Sequence, residues 1–193
     1  MRWNLPNILT LLRLLAAPGV PLMFLYFHRP WADWAALALF MGAAITDWID
    51  GYLARAWKQE SRFGAAMDPI ADKAMVVIAL VVITGYSGMN PWLNLPVTII
   101  LFREVFVSGL REYLGDKSRL LAVTKLAKWK TTLQMVALGC QLFARNWDGW
   151  GLPFDYLPAF QLFSDALIWL AAIVTLWTGW QSFSAAQKQM RDL

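Results

Sequence analysis

Four aspartates set into apolar sequence constrain this chain more than any other feature. They lie in Asp47-Trp-Ile-Asp50-Gly51-Tyr-Leu-Ala54-Arg55 and, eight residues on, Gly64-Ala-Ala-Met-Asp68-Pro-Ile-Ala-Asp72-Lys73. At 3.6 residues per turn, Asp47, Asp50, Gly51 and Ala54 share one helix face, and Asp68 and Asp72 share another. Clustered anions in a low dielectric are very costly unless something cationic holds them. Hard divalent ions take oxygen ligands, so the pattern predicts a two-metal site on Asp47, Asp50, Asp68 and Asp72. Gly51, Ala54 and Gly64 leave room beside the acids, and Arg55 adds a planar positive charge suited to phosphate.

The surrounding composition says where such a site sits. Of 193 residues, 59% are hydrophobic and only 16% charged, against about a quarter charged in soluble domains. Mean hydropathy is +0.45. The chain is therefore expected to be an all-α integral membrane protein. Its net charge of +4 fits anionic lipid headgroups and phosphate substrates. Nucleic acid is excluded as a partner, because the aromatics sit in apolar runs and no nucleic-acid-binding motif is present. One cysteine, Cys140, and one histidine, His28, exclude an intrachain disulfide and a Cys-rich metal site. The N-terminal apolar run is interrupted by Arg13 and continues past Pro18 to Phe27, which predicts an uncleaved first membrane segment rather than a signal peptide.

A membrane span needs about 20 mainly apolar residues. Six segments qualify, near residues 10–27, 33–54, 64–84, 92–113, 128–145 and 158–182. Residues 2–10 are expected to lie along the interface, with Pro6 at a turn or helix start, and a short polar tail follows segment six. Gly42-Ala43-Ala44 is expected to allow close helix packing, and Gly85 to Pro91 reads as a turn. Arg2, Arg55, Lys58, Arg62, Lys117, Arg119, Lys125, Lys188 and Arg191 fall on one side of this topology, with only Arg29 and Arg145 opposite. By the positive-inside rule, both termini and the motif loop face the cytoplasm. Segments two and three then form a hairpin whose carboxylates meet at its cytoplasmic end, in a polar cavity at headgroup depth. With no internal repeat, residues 1–193 read as one domain.

The aspartate pattern resembles the signature of the CDP-alcohol phosphatidyltransferases, D-x2-D-G-x2-A-R-x8-G-x3-D-x3-D, with every fixed position filled. The opening Asn4 to Arg13, the run from Phe102 to Glu112, and Lys128-Trp-Lys130-Thr131-Thr-Leu-Gln134 resemble the phosphatidylglycerophosphate synthase branch of that family. One departure is Ala127, where the branch usually has glycine. The resemblance implies a Mg²⁺- or Mn²⁺-dependent transferase that moves a phosphatidyl group from CDP-diacylglycerol to glycerol 3-phosphate. It implies a homodimer embedded among membrane lipids. It assigns Asp72 the role of general base, with metal contact as a second role. CDP-diacylglycerol would meet Gly51, Ala54, Arg55 and Gly64, with Ser61 and the Pro6, Asn7, Thr10 stretch closing over the nucleotide.

The acceptor needs a second pocket. Arg103, Arg111, Lys125, Lys128 and Lys130 are basic positions on segments four and five or the link between them, suited to the phosphate of glycerol 3-phosphate. A buried arginine such as Arg103 is costly unless functional or paired, so it faces either substrate phosphate or an acidic neighbour on another helix. Glu104 and Glu112 are expected to partner nearby arginines. Two other classes fit parts of the pattern. A divalent-cation transporter would use the same acids but should continue them through segments four to six, where only Glu104 and Asp165 stand. A non-catalytic lipid-binding subunit would tolerate Asp72→Asn. Within the family, inositol, its phosphate, serine and phosphatidylglycerol are the competing acceptors.

Overall fold

The computed structural model describes residues 5–28, 31–57, 61–115, 125–145 and 157–191. All its regular structure is helical: α1 (Leu5–Tyr26), α2 (Trp31–Ala56), α3 (Arg62–Tyr86), α4 (Pro91–Leu114), α5 (Lys125–Arg145) and α6 (Leu157–Arg191). Each covers one expected segment. α1 begins at Leu5, with Pro6 in its first turn as the expected helix start, and the helix continues through Pro18 and Pro21. At the other end, α6 runs on to Arg191 where a polar tail was expected. Ala186 is buried there against Leu114, with Leu110 and Met190 packed around them, so this turn has an apolar face to bury.

Local chemistry explains the helix ends. Ser61 caps α3, its Oγ accepting a hydrogen bond from the Gly64 amide at 2.9 Å. Asn90 caps α4 by accepting from the Trp92 amide at 3.0 Å, and Pro91 opens that helix where no amide is needed. The intervening turn uses positive φ at Gly88 and Met89, 58° and 64°.

All six helices contribute to one apolar core, which includes Val20, Phe40, Leu80, Ile100, Leu138 and Ile168. α1 packs against both α2 and α3, whereas α2 and α3 touch each other sparsely. α6 plays the matching part for α4 and α5, and lighter contacts join α3 to α4 and α5. Of the stripe Gly42-Ala43-Ala44, Ala43 is buried in this core as close packing requires, while a Cβ at Gly42 would touch nothing within 4 Å. The close approach falls on Gly139 of α5, where a Cβ would lie 3.2 Å from Met41 Sδ.

Among the described residues, three helices are long and apolar enough to cross a bilayer: Asn7–Tyr26, Pro91–Leu114 and Leu157–Met190. Their outward faces are apolar as well, with Leu15, Leu25, Val105, Leu162 and Trp180 all more than half exposed. A helix apolar all round, facing away from the core, belongs in lipid. The chain is an integral membrane protein. Of the other three helices, α2 and α3 carry the motif acids.

Candidate active site

One face of α1 builds the first half of the site. Asn7, Thr10 and Arg13 stand three residues apart, so they lie on one face, and each is at least 96% buried. Each faces a different part of the motif. Asn7 Oδ1 accepts a hydrogen bond from Ser61 Oγ at 2.7 Å. Thr10 Oγ1 donates to Asp68 Oδ1 at 2.6 Å. Arg13 NH1 donates to Asp47 Oδ1 at 2.6 Å and to Asp72 Oδ1 at 3.0 Å. A single guanidinium nitrogen therefore joins the acid of α2 to the acid of α3.

The carboxylates of the α2–α3 hairpin do meet, Asp47 and Asp72 both reaching Arg13 NH1, although α2 and α3 make few direct contacts among the described residues. The motif's halves meet because α1 stands against both and supplies donors and a cation between them. Arg13 was legible only as a charge interrupting an apolar run. Its position three residues after Thr10, deep in a span, is the signal that marks an intramembrane charge as functional.

Gly64 belongs to the same corner. A Cβ there would come within 3.0 Å of Asn7 Oδ1 and 3.3 Å of Ser61 Oγ, and 3.9 Å from Asp68 Oδ2. Glycine lets the N-terminal turn of α3 sit against α1 and leaves the Asn7–Ser61 bond intact.

The donor set suits hard cations. Asp47, Asp68 and Asp72 offer only oxygen, and Thr10 and Arg13 hold them through Oδ1 of each. Asp47 and Asp72 keep 36% and 30% of their side-chain surface exposed, so both can be reached from solvent. Among the described residues these acids do not by themselves make a complete metal cage. The side chains of Pro6, Asp50, Gly51, Ala54, Arg55, Lys125 and Lys128 lie outside those described.

The second half of the site is a cavity of about 260 Å³ between α3, α4 and α5. Asp72 and Lys73 line it from α3, Arg103, Glu104 and Arg111 from α4, and Lys130 and Gln134 from α5. Three of the five basic residues expected to meet the acceptor are thus gathered beside Asp72. Glu104 stands at the centre of this group. Its Oε1 accepts from Arg103 NH1 at 3.2 Å, from Lys130 Nζ, and from Gln134 Nε2 at 3.5 Å. Gln134 also donates to Thr175 Oγ1 at 2.9 Å, and Arg103 NH2 reaches Thr178 Oγ1 at 3.4 Å. Arg103 does have an acidic partner, as expected, but it is the next residue on its own helix rather than one on another. Lys73, unremarked beside the motif's last acid, is a further cation on the wall.

The arrangement pairs a carboxylate cluster with a basic cavity, and Asp72 belongs to both. The profile of the CDP-alcohol phosphatidyltransferase family matches residues 3–177. The chain belongs to that family. It is 58% identical to the CDP-diacylglycerol–glycerol-3-phosphate 3-phosphatidyltransferase of Cereibacter sphaeroides, the alignment covering 100% of this chain and 99% of that one. The proteins of the same description from Escherichia coli K12 and Shigella flexneri are each 40% identical, with both chains of each pair covered in full. The family's aspartate motif is thus carried on α2 and α3, and the helix that joins its halves lies N-terminal to both.

Proposed function

We propose that the chain transfers the phosphatidyl group of CDP-diacylglycerol to sn-glycerol 3-phosphate, giving phosphatidylglycerophosphate and CMP. The observation that carries this reading is Asp72, which lies on Arg13 with Asp47 on one side and lines the basic cavity on the other. The full-length similarity to relatives of that description supports the same acceptor.

In this reading Arg103, Arg111 and Lys130 hold the acceptor's phosphate, with Lys125 and Lys128 as further basic positions. That places its free hydroxyl toward Asp72. Asp72 takes the hydroxyl proton as the oxygen attacks the phosphorus that bears diacylglycerol. A P–O bond forms there, the pyrophosphate P–O bond breaks, and CMP leaves with the electron pair. Asp47, Asp50, Asp68 and Asp72 would hold Mg²⁺ or Mn²⁺, which supplies charge neutralisation at the pyrophosphate. Gly51, Ala54, Arg55 and Gly64 bound the nucleotide side. Ser61, Asn7 and Thr10 shape it from the α1–α3 corner, with Pro6 beside them.

The reading includes six membrane spans, one domain over residues 1–193, and a homodimer. Both termini and the cavity mouth face the cytoplasm, in keeping with the basic residues of that side. The deciding experiment is CMP release by purified protein in Mg²⁺ or Mn²⁺, with glycerol 3-phosphate, inositol phosphate, inositol and serine in competition. Glycerol 3-phosphate should dominate, and chelation of the metal should stop release. Turnover with another acceptor in its place would refute the assignment.

A further inference from the structure

Arg13 lies outside the aspartate motif, yet it is among the largest fully buried side chains of the protein. Its side chain has no exposed surface, and its NH1 is shared between carboxylates of two helices that otherwise touch little. Without that cation, Asp47 and Asp72 would face one another as like charges. A guanidinium packed this tightly has no room to swing into solvent when other cations arrive.

We propose that Arg13 is a positioning residue, a resident cation that holds Asp47 and Asp72 together before divalent ions bind. The site is then assembled in advance, and metal binding completes charge neutralisation rather than dragging α2 and α3 together. This rests on the reading of the aspartates as metal ligands. Because one nitrogen makes both bonds, a lysine can replace part of the function where an uncharged residue cannot.

The test is thermal unfolding of the full chain in lipid nanodiscs, with EDTA or with excess Mg²⁺. Arg13→Gln, Arg13→Lys, the Asp47→Asn/Asp72→Asn double variant and the double variant carrying Arg13→Gln are compared with wild type. In EDTA, Arg13→Gln should lower the melting temperature by about 6–15 °C. In the double variant the same change should be neutral or stabilising, because no like charges remain to be held. Magnesium should recover at least half of the loss in Arg13→Gln, and Arg13→Lys should lose less than Arg13→Gln. If Arg13→Gln does not accumulate, Arg13→Lys carries the test: its magnesium-induced shift should exceed that of wild type, and an equal shift overturns the proposal. An equal loss from Arg13→Gln in both backgrounds overturns Arg13's role and leaves the metal ligands standing. A coupled cycle in which magnesium shifts neither wild type nor Arg13→Gln overturns the hand-over to metal, and the ligand reading falls with it.

Discussion

The two halves of the site are built on opposite charge plans. Between α1, α2 and α3, one cation, Arg13, lies between two acids. Between α4 and α5, one acid, Glu104, lies between two cations, Arg103 and Lys130. In both, the odd charge is buried. The outer pair differs: Asp47 and Asp72 remain about a third exposed, whereas Arg103 and Lys130 are about nine-tenths buried along the cavity wall. Each triad therefore keeps an uncompensated charge, negative in the first and positive in the second, the signs that the proposed divalent cations and acceptor phosphate would need. The central residue keeps the outer two from repelling each other in a low dielectric.

The largest expected effect breaks the residue common to both halves. Asp72→Asn should cut CMP release by about 10²–10⁴-fold with the fold retained, the range for loss of a general base, as checked by initial rates and by circular dichroism. Next is the centre of the basic half. Glu104→Gln leaves two buried cations facing each other and should cost about 3 kcal/mol of stability. Added glycerol 3-phosphate should raise its melting temperature more than it raises that of wild type. An equal ligand response would show that the two halves are not electrostatic mirror images.

A smaller effect is expected at Gly179 of α6, where a Cβ would lie 2.9 Å from Arg103 Cγ. Gly179→Ala should displace Arg103 and raise KM for glycerol 3-phosphate about fivefold or more, a cost of about 1 kcal/mol or above in line with overpacking, while kcat changes less. The smallest is Ser61→Ala. It removes the α3 cap and the bond to Asn7, and should cost about 1 kcal/mol in thermal unfolding with little change in acceptor KM. That would confine the α1–α3 corner to the acidic half.

Much of this was legible in the residues themselves. The spacing from Asp47 to Asp72 named the acidic half, and the apolar runs placed helices over the segments that became α1 to α6. Glycine and proline at 85–91 marked the turn before α4. The exceptions have physical causes. The end of α6 reads as polar, but Ala186 finds an apolar partner in Leu114, which only a distant helix could supply. In the stripe Gly42-Ala43-Ala44 it is Ala43 that packs into the core, while the tight approach to Met41 is made by Gly139 of α5, which only the packing of α2 on α5 could reveal.

Sequence alone determined the chemistry available: which residues are acids and bases, their spacing along each helix, and the apolar surface that commits the helices to lipid. Helix periodicity is a local property and is readable from one segment at a time. Tertiary structure alone decided that α1 stands against both α2 and α3, so that Arg13 meets Asp47 and Asp72 across 34 and 59 positions of chain. It also decided that Glu104 lies against Lys130, 26 positions away. Such meetings depend on which helix packs against which, and that is set by the joint burial of six faces rather than by the pattern within any one of them.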